Sequence, residues 1–153
     1  MKTCEQAWAL CLSNARSSLH SAETALIELR PGAQVLQPLI ECIWWVGATD
    51  DALEEEYGAR WKEARKDEPQ LKKQIAGLRW AGSLAVQQLH RWGTTKPPYC
   101  WTDAESLEPK RRSKKKQTRG RQQYERYLQG RIAREVLEHL VKAIAERAIK
   151  LSP

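Results

Sequence analysis

The chain has 153 residues, 41% of them hydrophobic and 29% charged, with a formal net charge of +7. That is enough chain for one domain with its own core, without disulfide or metal staples, and the composition is that of a globular protein and not a disordered one. Cys4, Cys11, Cys42 and Cys100 form no Cys-x-x-Cys pair, Glu5 and Arg16 break the N-terminal apolar stretch, and Glu41 interrupts the short apolar segment 39–48. A zinc cluster, a signal peptide and a membrane span are therefore not expected, which leaves reduced thiols in a cytoplasmic protein without a cofactor.

The first predicted helix runs from about Thr3 to Leu29. Trp8, Leu12, Ala15, Leu19, Ala22, Leu26 and Leu29 alternate steps of four and three, which sets them on one stripe that suits a bundle core or a dimer seam. Pro31-Gly32 is its stop signal. A second helix is expected from Gln37-Pro38, with proline in the first turn, where its missing N–H costs nothing. Leu39, Ile40, Ile43, Trp44 and Val46 make it apolar nearly all round, so Trp44 is expected at the centre of the core. Its continuation, Asp50, Asp51, Glu54, Glu55 and Glu56, reads as an acidic solvated face, with a break at Gly58 and a further turn over Trp61–Lys66.

Pro69 opens a third helix, expected from Gln70 to Trp92 with Ile75, Leu78, Ala81 or Gly82, Ala85, Val86 and Leu89 inward. Residues 93–120 read as an irregular connection, rich in proline at its start, with Tyr99 and Trp101 as anchors on the core. A final helix is expected from Arg121 to Ile149: Tyr124, Leu128, Ile132, Val136, Leu140 and Ile144 recur every four residues, and Gly130 kinks or divides it. The reading is an all-α, single-domain bundle over 1–153, with four to five helices and a long basic connection before the last.

That connection carries the most informative feature of the chain. Lys110, Arg111, Arg112, Lys114, Lys115, Lys116, Arg119 and Arg121 place eight cations in twelve positions with no acid between them. Against a chain total of +7, they leave the remainder one unit negative. A concentrated, local charge of this kind fits a polyanion, because neutralising phosphates releases counterions without any sequence readout. Trp101, Tyr124 and Tyr127 flank the run and are candidates for stacking on bases. The competing readings are docking on the acidic stretch 50–56, docking on an acidic protein, and a solvated tether. A membrane surface is excluded as partner because no apolar face adjoins the run.

The segment from Glu41 to Trp92 resembles bacterial helical proteins of the HEPN superfamily, many of which are ribonucleases of defence and toxin systems. In these an acidic-apolar helix, like ECIWWVGATDD here, precedes a helix reading roughly L-R-[WY]-x-R-N-x-x-x-H. Leu78-Arg79-Trp80 matches the start of that motif, whereas Gly82, Ser83 and Gln87 stand at the arginine, asparagine and histidine positions. The segment Tyr99-Cys100-Trp101, the basic stretch and Tyr124–Arg131 extend the likeness. The resemblance implies a HEPN-like build that lacks the nuclease residues at the expected place.

Such chemistry needs an arginine to stabilise charge on phosphorus and a histidine to move protons. Arg134 and His139 form one pair of suitable spacing, although on a regular helix they lie 500° apart and need a kink or a partner chain to converge. His20 has no Cys or Asp at ligand spacing, and His90 sits near a helix end. Three functions follow in order: a non-catalytic domain, bacterial or phage, holding RNA or DNA through the basic run; a homodimeric interaction module, paired through its first or last helix, docking an acidic partner; and a ribonuclease using Arg134 and His139 across a dimer.

Overall fold

A computed structural model describes residues 6–66, 69–109 and 118–152. Eight helical segments occur among them: α1 (Ala7–Ile27), α2 (Gly32–Tyr57), α3 (Ala59–Lys66), α4 (Pro69–Ser83), α5 (Ala85–Trp92), α6 (Ala104–Leu107), α7 (Arg119–Tyr127) and α8 (Ala133–Leu151). No strand occurs among the described residues; the one β-type pairing is an isolated antiparallel bridge between Cys100 and Ile132. None of these helices is long and apolar enough to cross a membrane. The all-α single domain matches the sequence reading, but the count of four to five helices does not, because two of the expected helices are interrupted and the connection holds a short one.

α1 buries its expected stripe from Trp8 through Leu12, Ala15 and Leu19 to Ala22, but beyond that Ala25 is buried while Leu26 is only partly so and Leu29 points out. It ends earlier than Pro31 suggests. The Leu29 N–H bonds to the Leu26 carbonyl and the Arg30 N–H to the Ala25 carbonyl, the paired bonds of a Schellman end. Leu29 takes the left-handed position, φ 53°, that glycine usually fills, and this turns its side chain outward, 90% exposed. α2 begins at once at Gly32, so Pro38 falls inside the helix and not in its first turn. Its inward face is Leu39, Ile40, Ile43, Val46 and Leu53, while Trp44 is 56% exposed, which corrects the expectation of a central Trp44.

The expected third helix is divided at Leu84, φ −115°. Ser83 Oγ donates to the Trp80 carbonyl at 2.6 Å, and the Leu84 N–H reaches only to Ala81, so the regular ladder is broken by local side-chain competition. Val86 is consequently exposed and not inward. The last expected helix is divided too, with Gly130 at φ 79° turning the chain between α7 and α8.

In the core α2 packs against α1, α3, α4, α5 and α8, and α8 packs against α1, α2, α3 and α4. Trp61, Trp92, Trp101 and Tyr124 are fully buried together with Leu53, Leu78, Leu137 and Leu140. Tyr99 and Trp101 are anchors, as the sequence suggested. They are also fastened by backbone: the Trp101 N–H donates to the Arg131 carbonyl, Gly130 N–H to the Trp101 carbonyl and Ala133 N–H to the Tyr99 carbonyl, each at 2.9 Å. α4 and α7 approach so closely that a Cβ on Gly77 would lie 2.8 Å from the Tyr124 nitrogen, which is why only glycine fits there.

Candidate functional site

Of the eight cations, Lys110, Arg111, Arg112, Lys114, Lys115 and Lys116 lie outside the described residues. The structure describes the base on which they are mounted. Thr118 opens α7, its hydroxyl accepting from the Arg121 N–H at 3.3 Å. Arg119 follows in the first turn and is exposed. Gly120 rests on Trp80, where a Cβ would come 3.0 Å from the indole's own Cβ.

Arg121 behaves differently from the rest of the run. It is 4% exposed, donates through Nη2 to Glu105 at 2.9 Å and through Nε to Glu125 at 3.1 Å, and donates through Nη1 to the Glu108 carbonyl. Its guanidinium also stands over the Trp80 ring, 6.0 Å from the centroid. With its donors engaged by acids on either side of the basic run, Arg121 has no free face for a phosphate. Here Arg121 is a clasp that joins α6, the Glu108 carbonyl and α7.

The aromatic residues expected to stack on bases are equally committed to the interior. Tyr124 packs against Trp80 with ring centroids 4.9 Å apart and against Trp101 at 6.2 Å, and Tyr127 is buried. The Tyr124 hydroxyl donates to the Thr102 carbonyl and lies 3.2 Å from Gln88 Oε1, while Gln88 Nε2 donates to the Thr102 hydroxyl at 2.6 Å. Burial raises the Tyr124 pKa, assisted by the Asp103 carboxylate, so this phenol stays neutral. These rings form the floor under the connection and offer no face to a base.

The acidic stretch also divides. Asp50 is 2% exposed and not part of a solvated face. Its carboxylate accepts from Trp61 Nε1 at 2.9 Å, Arg65 Nη1 at 3.0 Å and Arg79 Nη2 at 2.6 Å, joining α2, α3 and α4. Arg79 Nη2 also holds Asp51 at 2.7 Å and the Gly47 carbonyl at 3.1 Å. Burial alone would lower the Arg79 pKa, but the hydrogen bonds to Asp50 and Asp51 outweigh it and raise it. Glu54 pairs with Lys62 at 3.3 Å. Three of the five acids are thus matched by cations of α3 and α4.

Within the motif that resembles the nuclease helix, Arg79 clamps Asp50 and Asp51, Gly82 packs against Ile43, and Gln87 is exposed. Arg134 donates to Glu138 at 3.0 Å and pairs with Glu23 at 3.5 Å. His139 is exposed on the same helix, which runs unbroken through both positions, so the pair does not converge within one chain. His20 and His90 are exposed, and among the described residues no three His, Cys, Asp or Glu side chains gather as a metal site. The Arg121–Glu125 contact was visible as an i,i+4 pair; Arg121–Glu105, sixteen residues apart, had no sequence signal. No protein-family profile, curated protein or solved structure matches this chain.

Proposed function

We propose that this is a non-catalytic, HEPN-like helical domain that holds RNA or DNA without sequence preference, using Lys110, Arg111, Arg112, Lys114, Lys115, Lys116 and Arg119. The observation that carries the reading is the segregation of charge. Eight cations lie between positions 110 and 121 in a chain whose total is +7. Arg121 is matched by Glu105 and Glu125, and the run itself contains no acid between its first and last cation.

The surroundings support charge-driven binding over base readout. Trp101, Tyr124 and Tyr127 are interior, so affinity has to come from phosphates and released counterions. The domain supplies the mount: Trp80, Arg121 and the Glu108 carbonyl fix where the run begins and ends. Cleavage forms no part of the proposal. Gly82, Ser83 and Gln87 provide neither guanidinium nor imidazole, and the Arg134 guanidinium is engaged by two glutamates.

The test is fluorescence anisotropy with labelled single-stranded RNA and DNA of scrambled sequence across a salt series. If about five cations contact phosphates, log K falls against log salt with a slope of about −4, and the RNA stays intact. Absence of binding at low salt, with capture of an acidic protein instead, would transfer the run to the protein-docking reading.

A further inference from the structure

α8 is enclosed on most of its circumference, and its exposed side is a narrow strip from Glu135 to Lys150. Within it Glu138, Lys142, Glu146 and Lys150 recur every four residues and stand one above another on one face. Their signs alternate. Rows of this kind usually close into ion pairs along their own helix. Here Glu138 is taken by Arg134 at 3.0 Å, and among the described residues no ion pair holds Lys142, Glu146 or Lys150.

Beside the row lies a groove of about 460 Å³ between α1 and α8, floored by Leu19, Val141 and Ala145 and flanked by Ile149. Ile149 is 65% exposed, a large apolar side chain standing free at the edge of an apolar floor. The rim is charged, with Arg16 and Glu23 on one side and the alternating row on the other. An apolar floor inside a mixed-sign rim is the anatomy of a helix-docking surface.

We infer that the occupant is a second copy of this chain, its α8 antiparallel to the first about a two-fold axis passing level with Ile144. In that register Glu138 faces Lys150 of the partner subunit and Lys142 faces Glu146 of the partner subunit. The two-fold repeats both contacts, which gives four opposite-sign pairs and no like-sign pair. The alternatives are penalised. An in-register parallel pair sets glutamate on glutamate and lysine on lysine at every level, and an antiparallel pair centred on Lys142 sets Lys142 on itself and Glu138 on Glu146. About this axis the row is self-complementary, as an isologous interface requires. The inference is independent of what the basic run binds.

The experiment is sedimentation equilibrium on nuclease-treated protein, followed by charge reversal. Wild type is expected to show a concentration-dependent dimer that weakens with salt. Lys142→Glu and Glu146→Lys each convert two attractive contacts into repulsive ones and are expected to weaken the dimer at least about tenfold. Mixing the two variants restores both 142–146 contacts, one with the wild-type signs and one with the signs exchanged, because position 142 of each chain again meets the opposite charge at position 146 of the other. The mixed dimer should therefore be tighter than either variant alone. Both positions are exposed, so circular dichroism should show unchanged helicity. A monomeric wild type at every accessible concentration, or variants that pair as wild type does with no preference in the mixture, would overturn the inference.

Discussion

Arg121 donates to the main-chain carbonyl of Glu108, so the residues on either side of the basic run are in contact. The same guanidinium spans Glu105 on one side and Glu125 on the other. A cation that sequence alone groups with seven others is thus separated from them in role by burial and by its partners. Arg119, two residues earlier, is exposed.

This contrast gives the first expected outcome. Arg121→Ala should lower stability by about 1–3 kcal/mol, since it removes a buried guanidinium together with its bonds to the Glu108 carbonyl, Glu105 and Glu125. Arg119→Ala should leave the melting temperature unchanged and flatten the salt slope of nucleic-acid binding by about one unit. Thermal melts and the salt titration together check the pair. Equal loss of stability in both variants would contradict the separation of roles.

Asp50 supplies the second. Asp50→Ala strips the counter-charge from Arg65, whose side chain is only 12% exposed, and the acceptor from the Trp61 indole. Breaking a buried pair in this way should cost about 3–5 kcal/mol. Arg79→Ala should cost less, about 1 kcal/mol, because its head is 40% exposed and Arg65 still faces the carboxylate. Urea denaturation of both variants measures the difference.

The tryptophans form a third test. Trp44→Ala should change stability by less than about 1 kcal/mol, as expected for a half-exposed side chain. Trp61→Ala and Trp92→Ala should each cost about 3–5 kcal/mol, since both rings are fully enclosed. A Trp44 variant as unstable as these two would show that its indole is packed.

Leu29 is the one described non-glycine residue at positive φ, and its side chain contributes almost no burial. Leu29→Gly removes the Cβ clash of the left-handed conformation and should stabilise the fold by about 1 kcal/mol. An unchanged or lowered melting temperature would show that the corner is not strained.

Cys42 governs an alkaline effect. Burial pushes its thiol from 9.0 up to about 12, so the folded chain retains a proton that the unfolded chain releases. Its contribution is complete below pH 9 and declines as pH rises towards 12, by up to about 1.4 kcal/mol per pH unit. The fall in unfolding free energy between pH 9 and 11 should be shallower in Cys42→Ala than in wild type, whatever constant offset the smaller side chain adds. Parallel curves would contradict a protonated buried thiol.

Local periodicity made much of this fold legible. The stripe from Trp8 to Ala22, the four-residue recurrence from Tyr124 to Ile144, the breaks at Gly58 and Gly130, and the anchors Tyr99 and Trp101 all depend on neighbours close in sequence. What escaped depends on distant ones. α2 is apolar on more than one face, and Asp50 lies inward where Arg65 and Arg79 meet it, whereas Trp44 stays outside. The division at Leu84 follows from one hydroxyl, that of Ser83, taking a carbonyl from the helix ladder. At the candidate site the cationic run is plain in the sequence, whereas the burial of Arg121 needs Glu105 brought from sixteen residues away.

The hydrogen bonds between residues 99–101 and 130–133 join main-chain atoms, so they are available to almost any side chains at those positions. They fasten the last two helices to the body of the domain on the far side of the basic run, in company with the close Gly77–Tyr124 approach. The covalent passage from Pro109 to Thr118 is therefore one attachment among several. Two polypeptides, the first ending at Pro109 and the second starting at Thr118, would present each other with the same pairing edge and the same closely fitted helices. The domain is in this sense a natural candidate for reconstitution from fragments, with its most charged segment as the place to cut.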